Sequence, residues 1–336
     1  MKEGTETLAS LGEFRLIRDF FAPLQTGEAP GVVLGIGDDG AVLTVPRTQQ
    51  MVTTVDSLVE GIHFDAASDP FLLGQKALLV NLSDIAAMGG KPCWYFLSLA
   101  LPPETRIAWI AEFVRGLREA GERHGVTVVG GNTTGSRGGI GIHVTLCGLV
   151  SQDRALTRSG SIPGDRILVS GTIGDAALAL AVRQGRLTLP EGPDLAYLTD
   201  RLDRPEPRLA LGLGFSDAAA VHALIDVSDG LVADLGHLCA AAGVGATIQA
   251  ENIPFSPVAR RLLERDPGLF AAMVTGGEDY ELLCTAPAGA LDLLAALARD
   301  AGVTLTEIGV MTEATEIEVT RAGKTLVFER GGWSHF

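Results

Sequence analysis

Lysine is scarce in this chain of 336 residues. Only four of its 26 basic residues are lysine, and 41 acidic residues leave a formal net charge of −15. The basic residues form no cluster, and a chain with this balance is a poor partner for nucleic acid or for an anionic membrane. An anionic ligand must therefore be bound through metal cations or through a few local arginines.

Cysteine is also sparse. Cys93, Cys147, Cys239 and Cys284 lie far apart and form no C-x-x-C pair, and the six histidines show no zinc-binding spacing. This pattern predicts buried thiols rather than a disulfide framework or a zinc site. The chain has no apolar run of 18 residues, and its first ten residues, MKEGTETLAS, do not resemble a signal peptide. We therefore expect a cytoplasmic protein without a membrane span.

The usual phosphate-binding signatures are missing. There is no G-x-x-x-x-G-K-[ST] loop and no H-R-D motif. The segment GIGDDG at 35–40 fits the spacing G-x-G-x-x-G, but two aspartates occupy the positions where a pyrophosphate would lie. At ~4 Å each carboxylate would cost about 4 kcal/mol against a phosphate charge at a surface-like dielectric. A dinucleotide-dependent oxidoreductase is therefore a weak alternative. A loop that meets phosphate through bound metal ions is the better interpretation.

Apolar periodicity predicts helices and strands that alternate in both halves. A turn-rich stretch at 159–165 places the boundary between a domain at 1–150 and a second at 151–336. This pattern indicates an α/β or α+β protein, and the proline-rich segment 189–207 is interpreted as a linker or a lid. The predicted helices are 11–23, 70–89, 104–124, 175–183, 207–214 and 228–242, and the main strands are 94–101, 126–129, 140–150, 166–169 and 223–226.

Acidic residues recur at predicted strand ends and glycine turns with no basic neighbour. Capping or turn chemistry explains any one of these motifs, but Asp84 and Asp226 lie in or beside apolar runs, where an unpaired carboxylate is costly. Oxygen ligands without histidine or cysteine favour Mg²⁺ or Mn²⁺. Residues 130–134 (GGNTT) are interpreted either as a phosphate-binding backbone or as a plain tight turn. The acidic motifs are GDD at 37–39, TTVDS at 53–57, NLSD at 81–84, DVSDG at 226–230 and GGEDY at 276–280.

Eight short motifs, in order over nearly the whole chain, resemble the thiamine-monophosphate kinase family. They are GIGDDGAVL, TVDSLVEGIHF, NLSDIAAMGGKP, GGNTT, RALTRSG, DVSDGLVADLGHL, GGEDYELL and GGWSHF. The resemblance implies a two-domain fold like that of aminoimidazole ribonucleotide synthetase, with an N-terminal metal- and ATP-binding domain that dimerises through its β-strands. It also implies phosphorylation of thiamine monophosphate by ATP with several Mg²⁺ ions.

The resemblance assigns roles to particular residues. It implies ATP contacts for Gly131, Asn132, Arg158 and Ser228, and contacts with thiamine phosphate for His63, Glu278 and Trp333. The implied Mg²⁺ ligands are Asp39, Thr54, the backbone of Val55, Asp56, Asp84, Asn132, Asp226 and Asp229. Asn132 departs from the family, which commonly has aspartate there, so its metal site should be weaker.

The expected chemistry is direct in-line transfer. A phosphate monoester has a second pKa of about 6, so the attacking oxygen of thiamine monophosphate is already ionised near neutral pH and no general base or covalent nucleophile is required. Two other interpretations stay open. One is a ligase similar to aminoimidazole ribonucleotide synthetase, and the other is a non-catalytic protein that binds divalent cations.

Overall fold

Helices and strands alternate along the part of the chain that the computed structural model describes, residues 7–25, 30–328 and 331–332. The chain forms two units. The N-terminal unit comprises Met1–Ile85 and Lys91–Asp153, and the C-terminal unit comprises Ala86–Gly90 and Arg154–Phe336. None of the described helices combines the length and the hydropathy that crossing a membrane requires. All four cysteines are free thiols, and three of them are buried as predicted.

The N-terminal unit is built on a four-stranded sheet. Its strand order is β3-β6-β4-β5, with β4 and β5 parallel and the other pairs antiparallel. A separate antiparallel pair, β1-β2, contributes Val32 and Leu43 to a small core around Trp94. The strands are β1 Val32–Leu34, β2 Val42–Leu43, β3 Gln49–Val59, β4 Lys91–Leu101, β5 Thr127–Gly135 and β6 Gly141–Ser151, and the longer helices are α3 Pro70–Ala87 and α4 Ile107–His124.

For this unit one sequence expectation is wrong, and one of two open alternatives is excluded. The single helix predicted at 11–23 is instead α1 (Leu8–Leu11), α2 (Glu13–Leu16), a π-turn at Ile17–Phe21 and a 3₁₀ turn at Ala22–Leu24. α1 ends at Gly12, whose positive φ of 82° is a conformation that favours glycine and departs from the helix. Residues 130–134 form no tight turn, because β5 continues through them beside β4.

The C-terminal unit has a seven-stranded sheet of order β13-β12-β9-β11-β7-β10-β8. Only β12 and β9 run parallel among the described pairs. The strands are β7 Arg166–Ser170, β8 Ala223–Asp226, β9 Gly245–Gln249, β10 Leu282–Ala286, β11 Leu305–Thr312, β12 Ile317–Arg321 and β13 Lys324–Leu326. The helices are α5 Asp175–Arg183, α6 Pro193–Asp203, α7 Leu209–Ala218, α8 Leu231–Ala242, α9 Pro257–Arg265, α10 Leu269–Thr275 and α11 Leu291–Asp300.

Both faces of this sheet are covered, since Ile167 and Val169 of β7 belong to one apolar core and Leu168 to another. The segment 189–207, interpreted as a linker or a lid, instead contains helix α6. Leu198 and Leu202 lie one turn apart on α6 and are buried in the larger core. An α+β fold with mostly antiparallel sheets therefore holds for both units.

Candidate active site

In the N-terminal unit the structure brings Thr54 and Asp84 together. Thr54 lies on β3 and Asp84 on α3, and the Thr54 hydroxyl donates a hydrogen bond to Asp84 Oδ2. Asp56 follows Thr54 by two residues on the same strand, so both side chains point to the same face of the sheet. Val55 points to the other face with 61% of its surface exposed. Its side chain is a hydrocarbon, so only its backbone could serve as a ligand.

The loop at 35–40 joins the antiparallel strands β1 and β2, and no helix follows it. The dinucleotide fingerprint requires a strand followed by a helix N-terminus, so the match at GIGDDG is coincidental. Asp39 is exposed on this loop, and its backbone N–H donates to Asp38 Oδ1 at 2.8 Å. The loop therefore offers carboxylates to solvent rather than bare amides.

Gly131 and Asn132 lie on β5, at the opposite edge of the sheet from β3. Asp56 pairs with Val144, and from there the register leads through Leu97 to Gly131. Three strand spacings of ~4.8 Å separate β3 from β5, about 14 Å in all. Asn132 is exposed and lies in the row of Ser57 and His143, on the face opposite Asp56. Within one chain, Asn132 and Asp56 are therefore far apart.

His63 lies in the turn that follows β3. Its Nδ1 accepts a hydrogen bond from the backbone N–H of Val59 at 3.0 Å. An accepting Nδ1 places the proton of the neutral ring on Nε2. The turn thus fixes both the tautomer and the ring position of this half-buried histidine.

In the C-terminal unit two predicted motifs run side by side. The N–H of Glu278 donates to Ser228 O and that of Tyr280 donates to Val227 O, both at 2.8 Å. A Cβ built on Gly277 would lie 2.1 Å from Ser228 O, so only glycine allows the two backbones to approach this closely. We call residues 226–230 and 276–280 the paired loops. They bring together Asp226, Ser228, Asp229 and Glu278.

The first of the paired loops leads into helix α8. Asp234, in the first turn of α8, accepts hydrogen bonds from the N–H groups of Asp229 and Gly230 at 3.1 Å each. Burial raises the pKa of Asp234 to about 7, although the two backbone N–H donors and the positive charge of Arg158 act to lower it. Carboxylate oxygens of Asp229 and Asp234 and a ring nitrogen of His237 lie within 4.8 Å of one another. Sequence reasoning missed Asp234 and His237, although their spacing of three places them on one face of a helix.

Gly332, near the C-terminus, also lies beside Asp229 and the start of α8. A Cβ on Gly332 would lie 2.3 Å from Ala233 Cβ and 2.8 Å from Asp229 O. Gly332 therefore lies directly against the start of α8. Trp333, assigned to the substrate by resemblance, lies outside the described residues.

The second of the paired loops has a strained backbone. Glu278 and Tyr280 have φ of 71° and 51°, in the left-handed region that favours glycine. Such a conformation costs on the order of 1–3 kcal/mol per residue and persists only where the surroundings enforce it. Sequence reasoning did not predict this strain.

Asp279 lies between Glu278 and Tyr280, and Glu281 follows Tyr280. The side chains of Asp279 and Glu281 point into the unit and are fully buried. Asp279 accepts from the N–H of Gly174 with both oxygens, at 3.0 and 2.8 Å. Burial raises the pKa of Asp279 well above its ordinary value, reinforced by Asp175 and Glu281 and opposed by the Gly174 N–H and by Arg201.

Glu281 is held by three side chains. Arg208 donates to both of its oxygens, at 2.5 and 2.7 Å, Arg201 donates at 2.9 Å and the Ser170 hydroxyl at 2.6 Å. Burial alone would raise the pKa of Glu281, but these donors and the two positive charges outweigh it and lower the pKa. Sequence reasoning missed this network, because the partners are 73 to 111 residues apart.

The fold agrees with comparisons to known proteins. Residues 37–150 match the family model for AIR synthase related protein, N-terminal domain, and residues 163–322 match the model for the C-terminal domain. The chain is also 42% identical over 329 residues to the thiamine-monophosphate kinase of Escherichia coli strain K12, a match that covers 97% of this chain and 98% of that protein. It belongs to the thiamine-monophosphate kinase family.

Solved structures give the same result. The thiamine-monophosphate kinase from Stenotrophomonas maltophilia K279a is 41% identical, with a TM-score of 0.81 over 94% of this chain and 98% of that one. A structure of AaThiL complexed with AMPPCP and TMP is 34% identical, with a TM-score of 0.75 over 99% of both chains. The fold implied by the sequence motifs is thereby confirmed.

Proposed function

We infer that this protein transfers the γ-phosphoryl group of ATP to thiamine monophosphate, which gives thiamine diphosphate and ADP. The observation that carries the inference is the pairing of the loops at 226–230 and 276–280, which aligns Asp226, Ser228, Asp229 and Glu278 in a member of this kinase family. AaThiL in complex with AMPPCP, an ATP analogue, and TMP supports the same pair of ligands.

The residue roles follow the positions of the family motifs. In the C-terminal unit Ser228 and Arg158 contact ATP, and Glu278 and Trp333 contact thiamine phosphate. In the N-terminal unit Gly131 and Asn132 contact ATP and His63 contacts thiamine phosphate. His63 is suited to this role because its Nδ1 is already engaged by Val59 and its Nε2 carries the proton.

The donor set fits divalent cations that prefer oxygen. Thr54, Asp56 and Asp84 on one face of the N-terminal unit, and Asp226 and Asp229 in the C-terminal unit, offer hydroxyl and carboxylate oxygens, the ligands typical of Mg²⁺. Asp39 and the carbonyl of Val55 add oxygens of the same kind. Bound Mg²⁺ supplies positive charge that neutralises the phosphates of two polyanionic substrates.

The protein's own residues serve mainly to position the reactants. The attacking phosphate oxygen has a second pKa of about 6 and needs no general base. Holding the two substrates in line converts a bimolecular reaction into an effectively unimolecular one, worth on the order of 7–11 kcal/mol in the best cases. The fixed backbones of the paired loops suit that task, and no side chain has to form a covalent intermediate.

A homodimer formed through the N-terminal sheet is part of the proposal. Strands β3 and β5 are the edge strands of this sheet, and edge strands are natural templates for pairing with a second copy. Asp56 and Asn132 point to opposite faces of the sheet, so they would hold different ions.

Sedimentation at working concentrations tests this arrangement, and a monomer contradicts it. We place the protein in the cytoplasm, which the four free thiols support.

The activity is tested by ADP release in Mg²⁺ with thiamine monophosphate, thiamine or formylglycinamidine ribotide as the second substrate. Only thiamine monophosphate should stimulate release. Asp56→Asn should abolish the reaction without unfolding the chain, whereas Asp300→Asn, an exposed carboxylate at the end of α11, should leave it unchanged. Release with formylglycinamidine ribotide instead would favour a ligase, and no release with any of the three would favour a non-catalytic cation-binding protein.

A further inference from the structure

Glu278, the residue assigned to thiamine phosphate, lies in the most constrained stretch of the paired loops. Its backbone and that of Tyr280 are left-handed. Neither residue is glycine or asparagine, the residues that adopt this conformation at low cost. Something outside the two residues must therefore hold them in place.

Two buried carboxylates flank Tyr280 and act as anchors. Asp279 is fixed to the N–H of Gly174 at the start of α5, and Glu281 is fixed to Arg208, Arg201 and Ser170. The partners of these anchors come from different elements of the C-terminal unit: strand β7, the turn after it, helix α6 and the segment before α7. Arg201 Nη2 also lies 3.4 Å from the carbonyl oxygen of Asp279.

The anchors determine where the intervening side chains go. Asp279 and Glu281 are buried, whereas Glu278 and Tyr280 are half-exposed on the other side of the segment. The N–H groups of Glu278 and Tyr280 are simultaneously bonded to Ser228 and Val227 of the first loop. The segment is thus fixed on both sides, and a change in the backbone conformation of Glu278 would require breaking one of these contacts.

We propose that Asp279 and Glu281, with Arg201 and Arg208, are positioning residues that hold Glu278 and Tyr280 in place for the organic cation of the phosphoryl acceptor. This rests on the proposed function. Glu281 neither touches substrate nor takes part in phosphoryl transfer; it acts through the conformation of Glu278. Tyr280, held in the same strained conformation, is presented together with Glu278 as part of the acceptor-binding surface.

Kinetics of anchor variants test the proposal. Glu281→Gln keeps the shape of the side chain but removes its charge, and Arg208→Lys keeps a charge but loses the planar fork that matches both oxygens of Glu281. Both variants should raise the KM for thiamine monophosphate by about 10–100-fold, the range expected when a binding group is displaced by ~1 Å. The KM for ATP should change less than about 2-fold, because the anchors hold residues assigned to the acceptor. A uniform loss of structure would instead raise both KM values.

Glu307→Gln is the matched control, because Glu307 pairs with Arg166 at the surface and both side chains are about 40% exposed. Its two KM values should equal those of the unchanged protein. If Glu281→Gln does not fold, Arg208→Lys and Ser170→Ala provide the same comparison, since each removes only part of the anchor. Unchanged KM for thiamine monophosphate in the folded variants, or parallel increases in both KM values, overturns the proposal.

A crystal structure of Glu281→Gln separates this proposal from the proposed function. Glu278 or Tyr280 leaving the left-handed region supports the anchor, and an unchanged backbone refutes it, whatever the protein phosphorylates. Absence of ADP release from the unchanged protein with thiamine monophosphate refutes the proposed function instead, and with it the role of the anchor in acceptor binding.

Discussion

Replacing Glu281 by glutamine should destabilise the C-terminal unit strongly. The substitution leaves Arg201 and Arg208, with side chains only 14% and 18% exposed, without the carboxylate that both of them contact. Removing one partner of a buried ion pair typically costs about 3–5 kcal/mol, because the remaining charge stays buried without compensation. For a unit of this size 1 kcal/mol corresponds to a shift in Tm of roughly 2–4 °C, so the transition should fall by about 6–20 °C.

The measurement is urea and thermal unfolding followed by far-ultraviolet circular dichroism. In a Trp333→Phe background the two remaining tryptophans, Trp94 and Trp109, belong to the N-terminal unit, so their fluorescence serves as an internal control. Glu307→Gln, which breaks an exposed pair, should cost less than about 1 kcal/mol. A loss below about 1 kcal/mol for Glu281→Gln would refute the view that the network is a tightly coupled ion cluster.

Acid should remove the difference in unfolding free energy between Glu281→Gln and the unchanged protein. The pKa of Glu281 is lower in the folded state than in the unfolded state. Its charge therefore stabilises the fold above the unfolded pKa, about 4.3, and that contribution is lost as the pH falls through the folded pKa. The unfolding free energies of Glu281→Gln and of the unchanged protein should converge in that range, and a constant gap would contradict the assignment.

Three further predictions concern Asn132, Gly277 and Asp279. Asn132→Asp should keep or lower the Mg²⁺ concentration needed for activity, and a Mg²⁺ titration that shows a higher requirement would contradict this. Gly277→Ala places a Cβ 2.1 Å from Ser228 O and forces the paired loops apart. It should lower the free energy of unfolding by about 1–3 kcal/mol and remove most of the activity. Gly289→Ala, with open space around it, should change neither quantity. Asp279→Asn should gain stability relative to the unchanged protein as the pH rises above about 4. In that range the carboxyl of the unfolded chain releases its proton, while burial keeps the carboxyl of the folded protein protonated. Urea titrations at a series of pH values that show no such trend would rule this out.

Local patterns in the sequence were sufficient to predict most elements. The apolar spacing of α3 and α4 and the apolar runs of β4 and β7 place these elements within three residues of their observed ends. The prediction failed at 11–23, where apolar spacing suggested one helix across Gly12. It also failed at 189–207, where prolines suggested an open linker although two leucines of α6 are buried in the core.

The paired loops could be predicted only in part. Asp226, Ser228, Asp229 and Glu278 stand in short motifs that signal carboxylates at strand ends, and the structure places them together. Their anchoring depends on contacts between distant segments, which no local pattern reports. Glu281 in particular follows a glycine turn and looks like an ordinary polar residue until Arg201 and Arg208 are placed beside it.

The buried carboxylates also affect where an anion can bind. Helix N-termini attract phosphate because their amides lack partners, yet Asp279 already occupies the N–H that begins α5 and Asp234 occupies two that lead into α8. At both helix starts beside the paired loops, the protein's own carboxylates therefore take up amides that a phosphate would otherwise use. In a chain with four lysines and a net charge of −15, this leaves imported cations and a few arginines to hold phosphate, so the affinity of the protein for its nucleotide should depend on the concentration of divalent metal.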